Sequence, residues 1–328
     1  MPVRSRSAPV RPPRGGRTGA DPVSGAELAA PGTRRRRALL AGRRGELLAP
    51  YVLIAPALLI LVALRLWPLL LGVNFSLTGD GERNGQSVGL GNYAELLQDP
   101  VFRISLRNVG LLVLLLPVAV AIPGLLATFI FLKVPGHRLF RSVYFFPAVL
   151  SPVIVGAIFN MLLAADGPLN AVLGWVGLDA VDWLGDPRLA IYTLVAVHIW
   201  ATFGMALVVF LAGFATLDAT LLDAARVDGA SLPQTIWHVI VPSLARTIQF
   251  VFVTTMIGML TSMFGLIYVM TGGGPGGSTY LPEFYIWIQQ GQMNRPALAS
   301  AASTVLFAIM LVVGVAQIAL LGRSGRED

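Results

Sequence analysis

Six long apolar stretches constrain the fold of this chain more than any other feature of its sequence. A helix that crosses a bilayer needs about 20 predominantly apolar residues, and five of the six stretches contain no Asp, Glu, Lys or Arg. Their length, and the lack of alternation between apolar and polar residues, favours helices over strands. The sequence therefore predicts an all-α membrane protein with six transmembrane helices. The predicted spans are residues 51–71, 109–132, 143–165, 189–214, 247–271 and 297–321.

The composition agrees with a membrane protein and excludes several kinds of site. Only 12% of the 328 residues are charged, which is about half the fraction typical of a soluble domain. The chain has no cysteine, so disulfides and thiolate metal sites are excluded. The three histidines, His137, His198 and His238, are too far apart in sequence to match a metal-binding motif. We expect no metal site, and no paired acids or Ser–His arrangement indicates a catalytic residue.

Positive charge is concentrated at the N-terminus. The first 50 residues hold 11 arginines against Asp21, Glu27 and Glu46, and they are rich in Pro and Gly. We interpret residues 1–46 as a disordered, basic cytoplasmic tail and residues 47–328 as the transmembrane domain. A tail of this kind could bind nucleic acid, but its position beside a hydrophobic body favours contact with anionic membrane lipid instead.

The distribution of basic residues predicts the orientation of the chain in the membrane. With the basic tail in the cytoplasm, the cytoplasmic segments carry 18 of the 24 Lys and Arg residues, and the outer segments carry five. Short cytoplasmic loops are generally enriched in Lys and Arg. An odd number of spans would spoil this asymmetry, so six spans with both termini in the cytoplasm fit best.

The predicted cytoplasmic connection between the fourth and fifth spans, residues 216–242, is unusually long. Asp223, followed by two alanines, favours a helix with an acid in its first turn, and Gly229 supplies a helix end. Ser231 and Pro233 favour the start of a second short helix. The pattern predicts two short helices joined by a sharp turn at the membrane surface, a shape that fits a groove on a partner protein.

This segment resembles the EAA motif of binding-protein-dependent ABC importer permeases. In that motif Glu-Ala-Ala is followed after three residues by Gly, and after nine more by Ile-x-Leu-Pro. Asp replaces Glu here, and Val replaces both Ile and Leu. Other stretches, including the Gly-rich run 271–279, are similar to the carbohydrate branch of the family, the maltose and glycerol-phosphate permeases. The matching positions are Asp223, Ala224, Ala225, Gly229, Val239, Val241 and Pro242.

The resemblance implies a division of labour among several proteins. It implies that this chain is one permease subunit of a bacterial inner membrane importer, paired as a heterodimer with a second permease subunit. Two ATPase subunits would bind ATP and Mg²⁺, so this chain would need no cofactor, and the seven matching residues would dock on an ATPase subunit. An extracytoplasmic solute-binding protein would deliver the solute. The single lysine, Lys133, lies outside any P-loop pattern, which agrees with ATP hydrolysis elsewhere.

A site for a sugar needs hydrogen-bonding groups and aromatic faces inside the helix bundle. Two faces with suitable side chains recur at helical spacing. They consist of His198, Thr202 and Met205 in the predicted fourth span, and of Thr255, Met259 and Ser262 in the fifth. Neither face carries a formal charge unless His198 is protonated, which favours a neutral sugar over an ion or a phosphate ester. Thr and Ser hydroxyls often bond back to a helix carbonyl instead, so this structural alternative stays open.

Two functional alternatives also stay open. An ion-coupled secondary transporter usually buries acidic residues inside its helices, and none of the six predicted spans contains Asp or Glu. An importer of the same architecture for an amino acid, a polyamine or phosphate would share the EAA motif. The sequence favours a sugar through its uncharged helix faces and its Gly-rich outer loop, and it does not identify the solute.

Overall fold

The computed structural model describes residues 50–132 and 146–324. The basic tail predicted over residues 1–46 lies outside these residues, as does the start of the predicted third span. The chain falls into two units, one ending at Leu64 and one beginning at Arg65, and the buried core belongs to the second. Apart from two isolated β-bridges, the described residues form helices and loops without a strand. The prediction of an all-α protein is confirmed for them.

The helices of the described residues are numbered here in chain order. Their bounds are α1 Pro50–Phe75, α2 Gly91–Gln98, α3 Pro100–Phe131, α4 Pro152–Leu162, α5 Pro168–Trp175, α6 Ala190–Phe214, α7 Ala219–Val227, α8 Leu232–Ser243, α9 Ala245–Thr261, α10 Phe264–Met270, α11 Pro282–Trp287 and α12 Pro296–Ser324. Short 3₁₀ turns lie at Gly81–Arg83 and Phe146–Val149, and π-helical turns at Val62–Leu66, Ile236–Ile240 and Ile288–Gln292.

Four of these helices, α1, α3, α6 and α12, are long and apolar enough to cross a membrane. Helices α8 and α9 meet at a bend of 76° and would make a fifth span if they are taken together. Helix α4 is apolar but has only 11 residues. The described residues therefore contain four or five candidate spans. The predicted third span begins at residue 143, outside the described residues.

Helix α3 begins nine residues before the predicted second span, so that predicted boundary is wrong. The Asp99 carboxylate accepts hydrogen bonds from the backbone amides of Val101 and Phe102, at 2.7 and 3.3 Å. Pro100 occupies the first helical position. An N-cap residue followed by Pro strongly favours the start of a helix. Here this pair lies before the apolar run, so the helix begins before the apolar residues do. The helix tolerates Arg103 because this side chain is exposed.

The predicted fifth span, residues 247–271, is interrupted, contrary to its continuous apolar pattern. Helix α9 ends at Thr261 and α10 begins at Phe264, so that Ser262 and Met263 separate the two helices. A run of apolar residues is compatible with one continuous helix and with two helices separated by a short break. The sequence pattern therefore locates the membrane segment but does not reveal the break.

The core of the bundle lies where α3, α6 and α9 pack together. Leu116 on α3, Leu194 on α6 and Met259 on α9 are each at most 1% exposed. Small residues let the helices approach closely, since a Cβ atom added at Gly213 on α6 would lie 2.6 Å from the hydroxyl of Thr247 on α9. Close van der Waals packing of this kind is a main source of helix association in lipid.

Helix α10 packs mainly on α4 and makes smaller contacts with α6 and α11. The side-chain amide of Asn160 on α4 donates a 2.9 Å hydrogen bond to the carbonyl of Val269. A Cβ atom added at Gly156 would lie 3.2 Å from the Cβ atom of Val269, so a small residue is needed at this contact. The two parts of the interrupted segment therefore have different main packing partners.

Polar contacts join the segment that follows α1 to the start of α12. The Asp80 carboxylate accepts hydrogen bonds from the amides of Ala297 and Leu298, at 2.8 and 2.9 Å, and so caps α12. The Arg295 guanidinium forms a two-point ion pair with the Glu95 carboxylate on α2. Hydrogen bonding from Arg295 holds the pKa of Glu95 below its ordinary value.

Candidate coupling segment and solute cavity

Helix α7, which carries the first part of the EAA-like motif, begins earlier than predicted. Asp218 caps it by accepting a 2.9 Å hydrogen bond from the amide of Thr220, and hydrogen bonding from Thr220 lowers the pKa of Asp218. Asp223 is therefore the fifth residue of the helix, and its predicted position in the first turn is wrong. It pairs with Arg226 at 3.1 Å on the exposed surface, a contact that contributes at most about 1 kcal/mol.

The turn after α7 has the predicted geometry. Gly229 adopts a φ of 69°, a conformation that costs L-residues roughly 1–2 kcal/mol. The Ala230 amide donates a 3.0 Å hydrogen bond to the carbonyl of Ala225, as in a Schellman motif. Ser231 and Gln234 then form a capping box that starts α8. Two short helices joined at Gly229 are thus present.

The last positions of the motif lie at the bend between α8 and α9. Val239 belongs to the π-helical turn Ile236–Ile240, and Val241 and Pro242 form the final turn of α8. Ile240 is only 2% exposed. The bend between α8 and α9 is therefore anchored in the core.

The 216–242 segment exposes two large apolar side chains among charged ones. The side chains of Val227 and Trp237 are 87% and 68% exposed, and the Asp223–Arg226 pair is exposed as well. A separate cavity of about 570 Å³ lies between α7, α8 and the end of α3, and its lining includes Leu222, Arg226 and Leu232.

A second cavity, of about 560 Å³, lies between α6 and α9 and is bounded by α3 and by the residues that precede α4. Ser262 does not line it, because α9 ends at Thr261 and the following residue is exposed. The other five predicted solute-lining residues meet in this cavity. They are His198, Thr202, Met205, Thr255 and Met259.

The cavity contains two polar side chains that are free to bind a ligand. His198 is 3% exposed, and its ring makes no hydrogen bond to the described residues. The Thr255 hydroxyl has no hydrogen-bond partner among them either. By contrast, the hydroxyls of Thr202 and Thr254 donate to the carbonyls of His198 and Phe250, at 2.8 and 2.9 Å. The back-bonding alternative thus applies to Thr202.

Sequence reasoning missed part of the lining. Phe250, Thr254 and Gly258 recur every four residues along α9, beside the predicted face. A prediction that took a broader stripe of the α9 surface as the lining face would have included these three residues. Leu150 and Pro152, which lie before and at the start of α4, also line the cavity. They follow no helical spacing with the other lining residues, so no sequence signal identifies them.

The chemistry of the cavity is that of a site for an uncharged ligand. None of the described residues that line it is Asp, Glu, Lys or Arg, and most of them are apolar. In residues 50–132 and 146–324, no three His, Asp or Glu side chains are grouped so as to hold a metal ion. An apolar cavity with a few free polar groups binds a solute through van der Waals contact and orients it through hydrogen bonds.

Comparison with known proteins identifies the family to which the chain is similar. Residues 87–324 match the family of binding-protein-dependent transport system inner membrane components. The arabinooligosaccharides transport system permease protein AraP of Halalkalibacterium halodurans is 28% identical over 90% of this chain and 95% of its own. The multiple sugar-binding transport system permease protein MsmF of Streptococcus mutans is 32% identical over 72% of this chain and 82% of its own.

A solved structure has the same fold. It is a bacterial alginate ABC transporter in complex with a periplasmic protein bound to an alginate pentasaccharide. The aligned chain covers 87% of this protein and 96% of its own length, with a TM-score of 0.74 and 24% sequence identity. The fold described here is therefore that of a membrane subunit of an ABC transporter.

The chain belongs to the family of binding-protein-dependent transport system inner membrane components. The resemblance drawn from the 216–242 segment is confirmed by this match. The protein is a multi-pass membrane permease, and its relatives are transport proteins rather than enzymes.

Proposed function

We propose that this chain is one permease subunit of an ATP-driven importer that moves a neutral sugar or sugar-like solute into the cell by alternating access. The single observation that carries this proposal is the uncharged cavity between α6 and α9, in which His198 and Thr255 are free to hydrogen bond. The two relatives named above are permeases for an arabinooligosaccharide and for multiple sugars.

The cavity favours a neutral solute over an anionic one. Alginate, the ligand of the similar transporter, carries carboxylates. A buried carboxylate needs a cation or several hydrogen-bond donors, and the lining of this cavity offers no Lys or Arg. A neutral sugar needs only hydrogen bonds and apolar contact. Of the six residues predicted to line the solute path, we assign the direct hydrogen bonds to His198 and Thr255.

In the proposed topology the chain crosses the bacterial inner membrane six times, and both termini are cytoplasmic. Helices α1, α3, α6 and α12 supply four spans, and α4 with the residues before it supplies the third. Helix α9 supplies the fifth together with α10, while α8, which meets α9 at the bend of 76°, stays with the 216–242 segment. The distribution of Lys and Arg supports this orientation. The basic residues 1–46 and the 216–242 segment then lie on the cytoplasmic side.

We assign the 216–242 segment to the contact with an ATPase subunit. The seven motif positions from Asp223 to Pro242 occupy α7, the Gly229 turn and the end of α8. The exposed side chains of Val227 and Trp237 suit an apolar groove on a partner. Two such subunits would bind ATP with Mg²⁺, and the buried bend after Pro242 would pass their movement to α9.

The remaining partners follow from the family. A second permease subunit would complete the solute path as a heterodimer. A solute-binding protein would dock on the outer surface, which includes the Gly-rich residues 271–279. The alginate transporter in complex with its periplasmic protein supports this arrangement.

The experiment starts from the solute-binding protein encoded beside this gene. Its bound ligand is identified by mass spectrometry. The purified complex is then reconstituted in liposomes, and ATP is supplied only on the side of the membrane that the ATPase subunits face. We expect ATP-dependent movement of a sugar. A complex without a copurifying ATPase, or uptake driven by an ion gradient alone, would support a secondary transporter. A ligand that is an amino acid, a polyamine or phosphate would contradict the sugar assignment.

A further inference from the structure

Glu283 is a buried acid that neither the 216–242 segment nor the solute cavity uses. It is the second residue of α11, and most of its side chain is shielded from solvent. Its Oε1 atom is fully buried and has no hydrogen-bond partner among the described residues. An unpaired carboxylate oxygen in such a place is costly, so the position requires a reason.

The Glu283 carboxyl group faces the break between α9 and α10. The backbone amides of Met263 and Phe264 lie near this carboxyl group and favour its ionised form, against the larger effect of burial. The first amides of a helix have no acceptor in a preceding turn. The Glu283 carboxyl group therefore lies beside the unpaired amides at the start of α10.

Aromatic packing holds α11 against α10 around this contact. The ring centroid of Phe264 lies 5.9 Å from that of Phe284 and 5.7 Å from that of Trp287. Tyr268 and Trp287 pack edge to face at 5.3 Å. Helix α11 is also tied to the start of α3, because the Tyr285 hydroxyl donates a 2.6 Å hydrogen bond to Asp99.

The main packing partners change at the break. Helix α10 packs mainly on α4, α9 packs mainly on α3 and α6, and α6 contacts both. Gly258 and Met259, which line the solute cavity, precede the break by about one helical turn. A contact that fixes the break therefore also fixes the position of the cavity wall relative to α10.

We propose that Glu283 is a positioning residue of the transport cycle, which fastens α11 to the break between α9 and α10 and releases it when the two helices move apart. The proposal rests on the proposed function, because it assigns the movement to solute transport. Separation of α11 from α10 exposes the carboxyl group to water, and their contact buries it again.

The contact is linked to proton binding. Burial raises the pKa of Glu283 from its ordinary value of 4.5 to about 7, although the amides of Met263 and Phe264 oppose this shift. A carboxyl group with a raised pKa binds its proton more tightly when it is buried. Conformations that bury Glu283 are therefore favoured at low pH, and conformations that hydrate it gain as the pH rises through 7.

No charged group contributes to this linkage, since burial and the two amides account for the pKa of Glu283. The surrounding elements carry few ionisable residues. These are Tyr285 on α11, Tyr268 on α10, Tyr192 and His198 on α6, Arg246 on α9, Arg103 and Arg107 on α3, and Asp99, which caps α3 and bonds to Tyr285. Glu283 is therefore the group whose titration we expect to govern the contact.

Hydrogen exchange of residues 258–270 tests the contact directly in the purified complex in nanodiscs. After correction for intrinsic exchange, we expect opening to increase about tenfold from pH 6 to pH 8, as follows from the two pKa values. Glu283→Gln should abolish this dependence because an amide does not titrate. Glu82→Gln, which changes an exposed acid in the turn Gly81–Arg83, should keep it. An unchanged tenfold dependence in Glu283→Gln would overturn the proposal.

Uptake separates positioning from a purely structural role. Glu283→Gln keeps an acceptor oxygen, so we expect it to retain uptake at pH 6 and to flatten the pH profile of transport. Glu283→Ala has no acceptor and should lower uptake at every pH by roughly fivefold or more, the effect of about 1 kcal/mol. Wild-type uptake and pH profile in Glu283→Ala would contradict the proposal. Lack of sugar uptake by the wild type would contradict the proposed function. The hydrogen-exchange result would still test the contact of Glu283 with the break, because it does not depend on transport.

Discussion

The Tyr285 hydroxyl donates a 2.6 Å hydrogen bond to Oδ2 of Asp99, which lies 186 residues earlier in the chain. The other carboxylate oxygen, Oδ1, caps α3 by accepting the amide of Val101. One carboxylate therefore fixes both the start of a long span and the position of α11. Burial and the hydrogen bond to Asp99 raise the pKa of Tyr285, so the hydroxyl keeps its proton at every pH relevant to transport.

Tyr285→Phe should lower the stability of the complex by about 1 to 2 kcal/mol, because a hydrogen bond to a charged acceptor is lost while the ring still fits. Thermal unfolding of the purified complex measures the change. Tyr192→Phe is the matched control, since this tyrosine is 48% exposed and its hydroxyl has no hydrogen bond among the described residues. Equal unfolding temperatures for the two variants would contradict the importance of the contact between Tyr285 and Asp99.

Gly229→Val should lower ATP-dependent uptake about fivefold or more without lowering the amount of protein in the membrane. The left-handed backbone at this turn costs a β-branched residue at least 1–2 kcal/mol, which misplaces α7 relative to α8. Uptake and protein level are measured in parallel. Gly174→Ala serves as the control, because Gly174 lies within α5 and no atom lies within 4 Å of an added Cβ. Unchanged uptake in Gly229→Val would count against a role of the turn in docking.

Thr255→Val should raise the KM for solute by about three- to tenfold, the effect of one lost hydrogen bond of about 1 kcal/mol, while the shape of the side chain is kept. Thr193→Val on α6 is the control, because its hydroxyl bonds back to the carbonyl of Leu189 at 3.2 Å. Uptake at varied solute concentration in liposomes gives the KM of each of the two variants. The solute assignment fails if the two variants have the same KM.

The chain has no cysteine, so single cysteines can report its topology without a background. Arg226→Cys and His238→Cys should react with a membrane-impermeant maleimide only after the cytoplasmic side is opened. Ser87→Cys, in the segment after α1, should react from outside in intact cells. Labelling of position 226 or 238 from outside would overturn the proposed six-span topology.

Parts of this fold can be predicted because the physical signal is local. Helix α6 begins and ends within one residue of the predicted span, since a long apolar run fixes it. Helical spacing along α6 and α9 brings His198, Thr202 and Thr255 to one cavity. The turn at Gly229 follows from the conformational freedom of glycine. In each case the deciding residues lie within a few positions of the feature.

Other parts cannot be predicted because the deciding residue is distant or lies outside the pattern. The early start of α3 depends on Asp99 and Pro100, which precede the apolar run. The break after Thr261 falls within one apolar run, and α11, which packs on Phe264 beside the break, meets it only in the folded chain. A pattern of apolar residues describes an environment, and it contains no information about a cap supplied from another segment.

The cap on α12 has a consequence for biosynthesis. The amides of Ala297 and Leu298 find their acceptor in Asp80, a residue that leaves the ribosome more than 200 positions earlier. The start of the final helix therefore meets an acceptor that was synthesised much earlier, and its first amides fasten the segment that follows α1.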